Sequence, residues 1–161
     1  MPSSEKDRAL REHLLEFLRG KSAHVDFRHA TAGLPEGLRG VRPPGADHSA
    51  WELVEHLRLA LWDILEFSRN AKHVSPAWPE GYWPDSPQPP SSAQWDKSIK
   101  AFQADLKAIE ELVADPATDL YARIPWGDGQ TILREAMLAA DHNAYHIGQL
   151  VLVRKLLGAW E

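Results

Sequence analysis

Apolar residues return every three or four positions in separate stretches of this chain, and that spacing predicts helices. From about Lys6 to Leu18 the repeat is Leu10, Leu14, Phe17 and Leu18, and Gly20 stops it. A short stretch from about Ser22 to Thr31 follows, so the two read as one bent or broken first helix. Gly37 to Ala46, with two prolines and three glycines, is a loop. Ser49-Ala50-Trp51-Glu52 is a capping box, in which hydroxyl and carboxylate each take an orphan amide. The helix it opens runs to about Arg69 along an arc of Leu53, Leu57, Ala60, Leu61 and Ile64. His56 lies on the flank of that arc, in line with Glu52, Asp63 and Phe67. Ser91-Ser92-Ala93-Gln94 reads as a second box, opening a helix with Trp95, Ile99, Phe102, Leu106, Ile109 and Val113 on one face. Tyr121 to Trp126 reads as extended chain in a hairpin closed at Gly127-Asp128-Gly129. Thr131 caps a last helix that reaches about Leu157 and stops at Gly158. The pattern predicts an all-α fold, a four-helix bundle forming a single domain over residues 1–161.

Between the second and third helices, Lys72 to Pro90 carries six of the chain's 12 prolines, which no regular helix tolerates. A crossover of that length can run the full length of a bundle and make those two helices parallel. Its Trp78, Tyr82 and Trp83 are expected to cover apolar surface at one end of the bundle, near a site mouth.

Composition narrows the partners. A net charge of −5, with no basic run, argues against nucleic acid. With no cysteine, any metal must be held by His, Asp or Glu. No stretch of about 20 apolar residues offers a membrane span. The polar start, Met1 to Asp7, does not look like a signal peptide, and a cytoplasmic protein is expected.

The chemistry concentrates in Asp141-His142-Asn143-Ala144-Tyr145-His146. Histidines four apart sit one turn apart on a helix face, close enough to converge on one ion. They lie in the inward stripe with Glu135, Ala139, Gln149, Leu150 and Val153, where an imidazole without partners is costly. Water or a carboxylate would also satisfy them, so the pair alone leaves the choice open. His56, on another helix, shifts the balance: one histidine plus an i, i+4 pair can bring three nitrogens to one ion with positions left open. Asn143 stands where the zinc-protease motif needs Glu, and no pair of Glu-x-x-His repeats supports a di-metal site.

Ser49-Ala50-Trp51-Glu52-Leu53-Val54-Glu55-His56-Leu57, a long linker, and Asp141 to Gln149 together resemble the DinB/YfiT-like family of metalloenzymes. The resemblance covers roughly residue 10 to the end. It implies a bundle in up-down-down-up order, with a divalent ion, zinc or nickel, on His56, His142 and His146. It further implies thiol-dependent transferase, isomerase or hydrolase-like chemistry on a small molecule, with a low-molecular-weight thiol as cosubstrate. A non-catalytic protein binding metal or a small ligand in stress responses is the alternative. From helical angles, Asp63 is placed to orient an imidazole, complete the coordination or act as base, and Glu135 is a similar candidate. Gln149 is placed to bond a ligand or a helix neighbour. His24, His29 and His48 are expected mainly as solvated loop residues, His13 and His73 as bystanders, and Tyr145 as packing. The small face of Ala140, Ala144, Ile147, Gly148 and Val151 is expected to meet a second copy, as a homodimer, or the crossover. Metal binding is expected to weaken on acidification through about pH 6–6.5, the range of a free imidazole.

Overall fold

The computed structural model describes residues 4–160. Among them the chain forms five α-helices and no β-strand: α1 (Glu5–Arg19), α2 (Phe27–Thr31), α3 (Ala50–Arg69), α4 (Ser92–Ala114) and α5 (Ile132–Leu156). None of these helices is long and apolar enough to cross a membrane.

Every helix begins where a side-chain oxygen can take an orphan amide. Ser4, Asp26, Ser49, Ser91 and Thr131 accept from the N–H groups of Asp7, His29, Glu52, Gln94 and Arg134. Only Ser49 completes the capping box. At Ser91 the reciprocal half is missing, because the Gln94 amide donates to Ser98 instead, at 3.2 Å. The first helical segment breaks rather than bends. Gly20 adopts φ 65° and its N–H reaches the carbonyls of Glu16 and Phe17, a left-handed stop that suits glycine. The next helix waits for its Asp26 cap and is five residues long. The expected hairpin shrinks to a single bridge between Arg123 and Thr131. That loop is anchored otherwise, by the Trp126 indole N–H donating to the Phe67 carbonyl at the end of α3.

The inner helix is α3. Its Leu53, Leu57, Leu61 and Leu65 are at most 1% exposed, and it packs on α4 and α5 while α1 lies along both of those. Each of these leucines contributes roughly 1.5–3 kcal/mol by leaving water. From α2, Phe27 stacks on Phe102 of α4 with ring centres 3.9 Å apart. Arg11 of α1 closes the far end of α4, donating to the carbonyls of Val113, Asp115 and Thr118 at 2.7–2.9 Å. Terminal helix carbonyls have no partner of their own, and a guanidinium satisfies several at once.

The small-residue face of α5 is partly covered inside the chain, with Ala140, Ala144 and Val151 half-buried and Gly148 exposed. Ile147 is buried, and α1 and α2 pack along α5, with Leu14 and Phe17 of α1 beside Ala140 and Ala144. The space beside that face is lined by α1, α2, α4 and the loop between α1 and α2, with no residue of the crossover. The crossover instead lies against α3. Its Pro87 carbonyl accepts from the Ser49 hydroxyl at 2.6 Å, and Gln88 presses on Gly40 so closely that a Cβ there would sit 2.8 Å from the Gln88 Cα. Glycine at position 40 is a packing requirement.

Candidate metal centre

Packing of α3 against α5 brings His56 level with His142 and His146, 86 and 90 residues away in sequence. The Nε2 atoms of His56 and His142 are 3.0 Å apart, and those of His56 and His146 3.1 Å. The three residues form a group able to hold one ion, with ligand atoms all within 4.8 Å of one another. His56 and His146 are buried and His142 is half-buried.

The hydrogen bonds on the outer nitrogens decide what those Nε2 atoms are. His56 Nδ1 lies 2.9 Å from the Tyr82 carbonyl, which can only accept, so the ring proton is on Nδ1 and Nε2 carries a bare lone pair. His146 Nδ1 donates to Gln149 Oε1 at 2.6 Å, which bares its Nε2 in the same way. Two lone pairs facing each other at 3.1 Å do not bond; they repel unless a cation lies between them. Nitrogens each about 2.1 Å from one ion stand about 3.0–3.4 Å apart for bond angles from right-angled to tetrahedral, so the donor set fits. His142 Nδ1 is buried without a partner, leaving its tautomer to be set by what its Nε2 binds.

Burial also keeps the rings neutral. It pushes the His56 pKa down to about 4 and that of His142 to about 3, helped in each case by the neighbouring imidazoles, and it lowers His146 as well. The window in which protons compete for the ligands therefore lies well below the pH 6–6.5 expected of free imidazole.

Trp83 stacks flat on His56, centres 3.9 Å apart and planes 4° apart, and its other neighbour is His48, stacked at 4.0 Å and 18°. His48 is thus part of the site's wall rather than a solvated loop residue. Tyr82 is buried, while Trp78 is 75% exposed and touches the group only edge-on through Tyr82. Of the three crossover rings, Trp83 therefore covers His56, Tyr82 is buried with its hydroxyl on Asp63, and Trp78 lies outside.

Asp63 does not reach the three nitrogens. Its carboxylate accepts from the Tyr82 hydroxyl at 2.6 Å and meets His73 Nε2 at 2.7 Å. It holds in place the tyrosine whose main-chain oxygen orients His56, and His73 is a member of this network rather than a bystander. Burial, then the bond to Asp63, raise the Tyr82 phenol to about 12, so it stays a donor. Glu135, two turns before His142, is buried and paired with Arg134 at 2.7 Å. It lines a small void with Ile64, Ser68 and Ile109, away from the histidine group. Gln149 is the partner of a ligand, and Tyr145 is exposed, its ring edge-on to His146.

With this geometry in view, the comparison with known families is decisive: residues 9–150 match the model of the DinB superfamily. The chain belongs to the DinB superfamily. No curated protein and no solved structure matches it. For this DinB-superfamily chain the three-histidine group falls inside the matched span.

Proposed function

We propose that this chain is a metal-dependent enzyme in which His56, His142 and His146 hold one zinc or nickel ion and a small molecule reacts with a thiol or with water. The observation that carries the reading is the pair of bare Nε2 lone pairs 3.1 Å apart, held that way by the Tyr82 carbonyl and Gln149. When bound, a divalent ion would lower the pKa of the thiol or water and polarise the electrophile. The chain's own residues do the rest. Tyr82 and Gln149 keep protons on the outer nitrogens, and Trp83 shields one face of His56 from water. A cavity of about 180 Å³ lined by His48, Leu53, Gln149 and Leu152 lies beside the partners of the ligands, and only a compact substrate would enter it.

The same reading takes the bundle as up-down-down-up. Trp51 and Trp95, each near the start of its helix, meet across α3 and α4, which supports a parallel pair joined by the crossover. Arg11 reaching the end of α4 supports α1 running the opposite way. We take the protein to be cytoplasmic. A homodimer would use the partly open face of Ala140, Ala144, Gly148 and Val151 or the exposed Tyr145, Leu152 and Leu156 of α5, and sedimentation as a monomer at every concentration would exclude it.

The test is protein purified without a polyhistidine tag, analysed for metal, then assayed with a panel of low-molecular-weight thiols and electrophiles. Stoichiometric zinc or nickel with turnover that chelation abolishes is the expected result. Stoichiometric metal without turnover on any pair would favour the non-catalytic binding protein, and protein that takes up no metal would overturn both.

A further inference from the structure

One residue from His142, the other side of α5 faces a different space. A cavity of about 310 Å³ opens between α1, α4 and α5, and its walls include Phe17, Phe27, Phe102, Leu106 and Ile147. A second, of about 380 Å³, shares Phe17, Gly20, His24, Ala140 and Ala144 with it, so the two form one groove. Asn143 lines the first cavity and is only 4% exposed, yet among the described residues neither its Nδ2 nor its Oδ1 has a hydrogen-bond partner. A buried carboxamide without partners is costly, and native structures contain few of them. It offers two donors and an acceptor side by side. At the rim, Arg19 is paired with Glu110 and Lys21 with Asp26, and Arg28 is exposed to solvent, where water and salt screen its charge.

We infer that this groove binds a small uncharged molecule that is mainly aromatic or aliphatic and carries an amide, whose N–H and carbonyl pair with the Asn143 side chain. The Phe27–Phe102 stack supplies the apolar wall. The size suits such a ligand, since small-molecule sites begin at about 300 Å³. The site is separate from the histidine group, because Asn143 and His142 leave the helix in different directions.

The probe is 2-phenylacetamide, titrated into metal-loaded protein and into protein stripped by a chelator, with the Asn143 side-chain amide signals followed by NMR. Saturable shifts of those signals in both forms are expected, with propylbenzene binding about tenfold more weakly. Asn143→Leu is expected to remove the preference for the amide. Leu106→Trp, which fills the groove from α4, is expected to abolish binding of both compounds with metal content unchanged. Absence of saturable binding overturns the inference. So does binding that Asn143→Leu leaves unaltered, or binding that disappears with the metal, which would place the probe at the histidines. None of these outcomes depends on turnover, so the inference can fail while the metal reading stands, and the reverse.

Discussion

The two sides of α5 treat neighbouring residues in opposite ways. His146 and its partner His56 have each outer nitrogen bonded, one to a glutamine four atoms of side chain away and one to the main chain of the crossover. Asn143, on the side facing α1 and α4, has a whole amide unbonded. The polar group is buried in both places, and the difference lies in what was supplied to it. On the metal side the protein has arranged partners for the outer nitrogens of His56 and His146, though not for that of His142, and leaves bare the nitrogens that would touch an ion. On the other side it has left the entire group bare, which marks it as a place to look for a ligand.

The largest effect should come from the bare nitrogens themselves. Alanine at His56, His142 or His146 is expected to lower metal affinity by more than the roughly 10–100-fold typical of losing an outer partner. His13→Ala should leave affinity unchanged, since that side chain is 72% exposed on α1. Competition with a chromophoric chelator measures all four, and a single ligand variant that keeps wild-type affinity would break the triad. Removing a partner should cost less. Asp63→Asn or Tyr82→Phe is expected to weaken metal binding about 10–100-fold by loosening the crossover over His56. His73→Ala, which removes Asp63's other contact, should fall between these and the His13 control. If Asp63→Asn matched His56→Ala, Asp63 would have to act directly on the metal site.

Proton titration sharpens the same contrast. The folded pKa values of His56 and His142, about 4 and 3, lie below that of an unfolded imidazole, about 6.5. As pH falls below about 6.5 the unfolded chain takes up protons first. The contribution of these two neutral rings to the stability of metal-free protein is therefore complete above that pH and is lost from there down to about pH 3. Thermal unfolding of stripped protein across that range checks the sign. Metal bound to the folded form adds to its stability and should raise the melting temperature at pH 7 with increasing metal concentration. The smallest effect has the opposite direction. Asn143→Leu is expected to stabilise the unliganded protein by about 1 kcal/mol by removing an unbonded buried amide. Gln149→Leu, which unbonds His146, should destabilise it.

Most of the architecture could be read from local signals. Ser49 with Glu52, Gly20, Thr131 and the three-four spacing of α4 all act within a turn or two of themselves, and such rules survive folding. The three histidines were legible because i, i+4 spacing is a helical distance and His56 lies at the edge of an apolar arc. What could not be read depends on the register of irregular chain. Nothing in the proline-rich crossover says that Trp83, and not Trp78, lies flat on His56, or that Asp63 meets Tyr82 and His73. Asp63 lies two turns from His56, but the imidazole its carboxylate meets is that of His73. Glu135 shared the stripe with the ligands, yet a helix rises about 1.5 Å per residue, so seven positions put it about 10 Å from His142. The short hairpin failed for a similar reason. A tryptophan bond to α3 holds that loop, so strand pairing is not needed.

The atom that orients His56 belongs to the main chain of Tyr82, and every amino acid has that atom. Drift at position 82 can therefore change the ring without deleting the carbonyl, and a side-chain scan would register only the indirect loss of its anchor. The contact is exposed to a different class of lesion: a one-residue insertion or deletion between Pro79 and Pro84, which shifts the register of every following carbonyl. Relatives of this chain can be expected to vary in the composition of the crossover away from Tyr82 and Trp83, and very little in the number of residues separating that carbonyl from the start of α4.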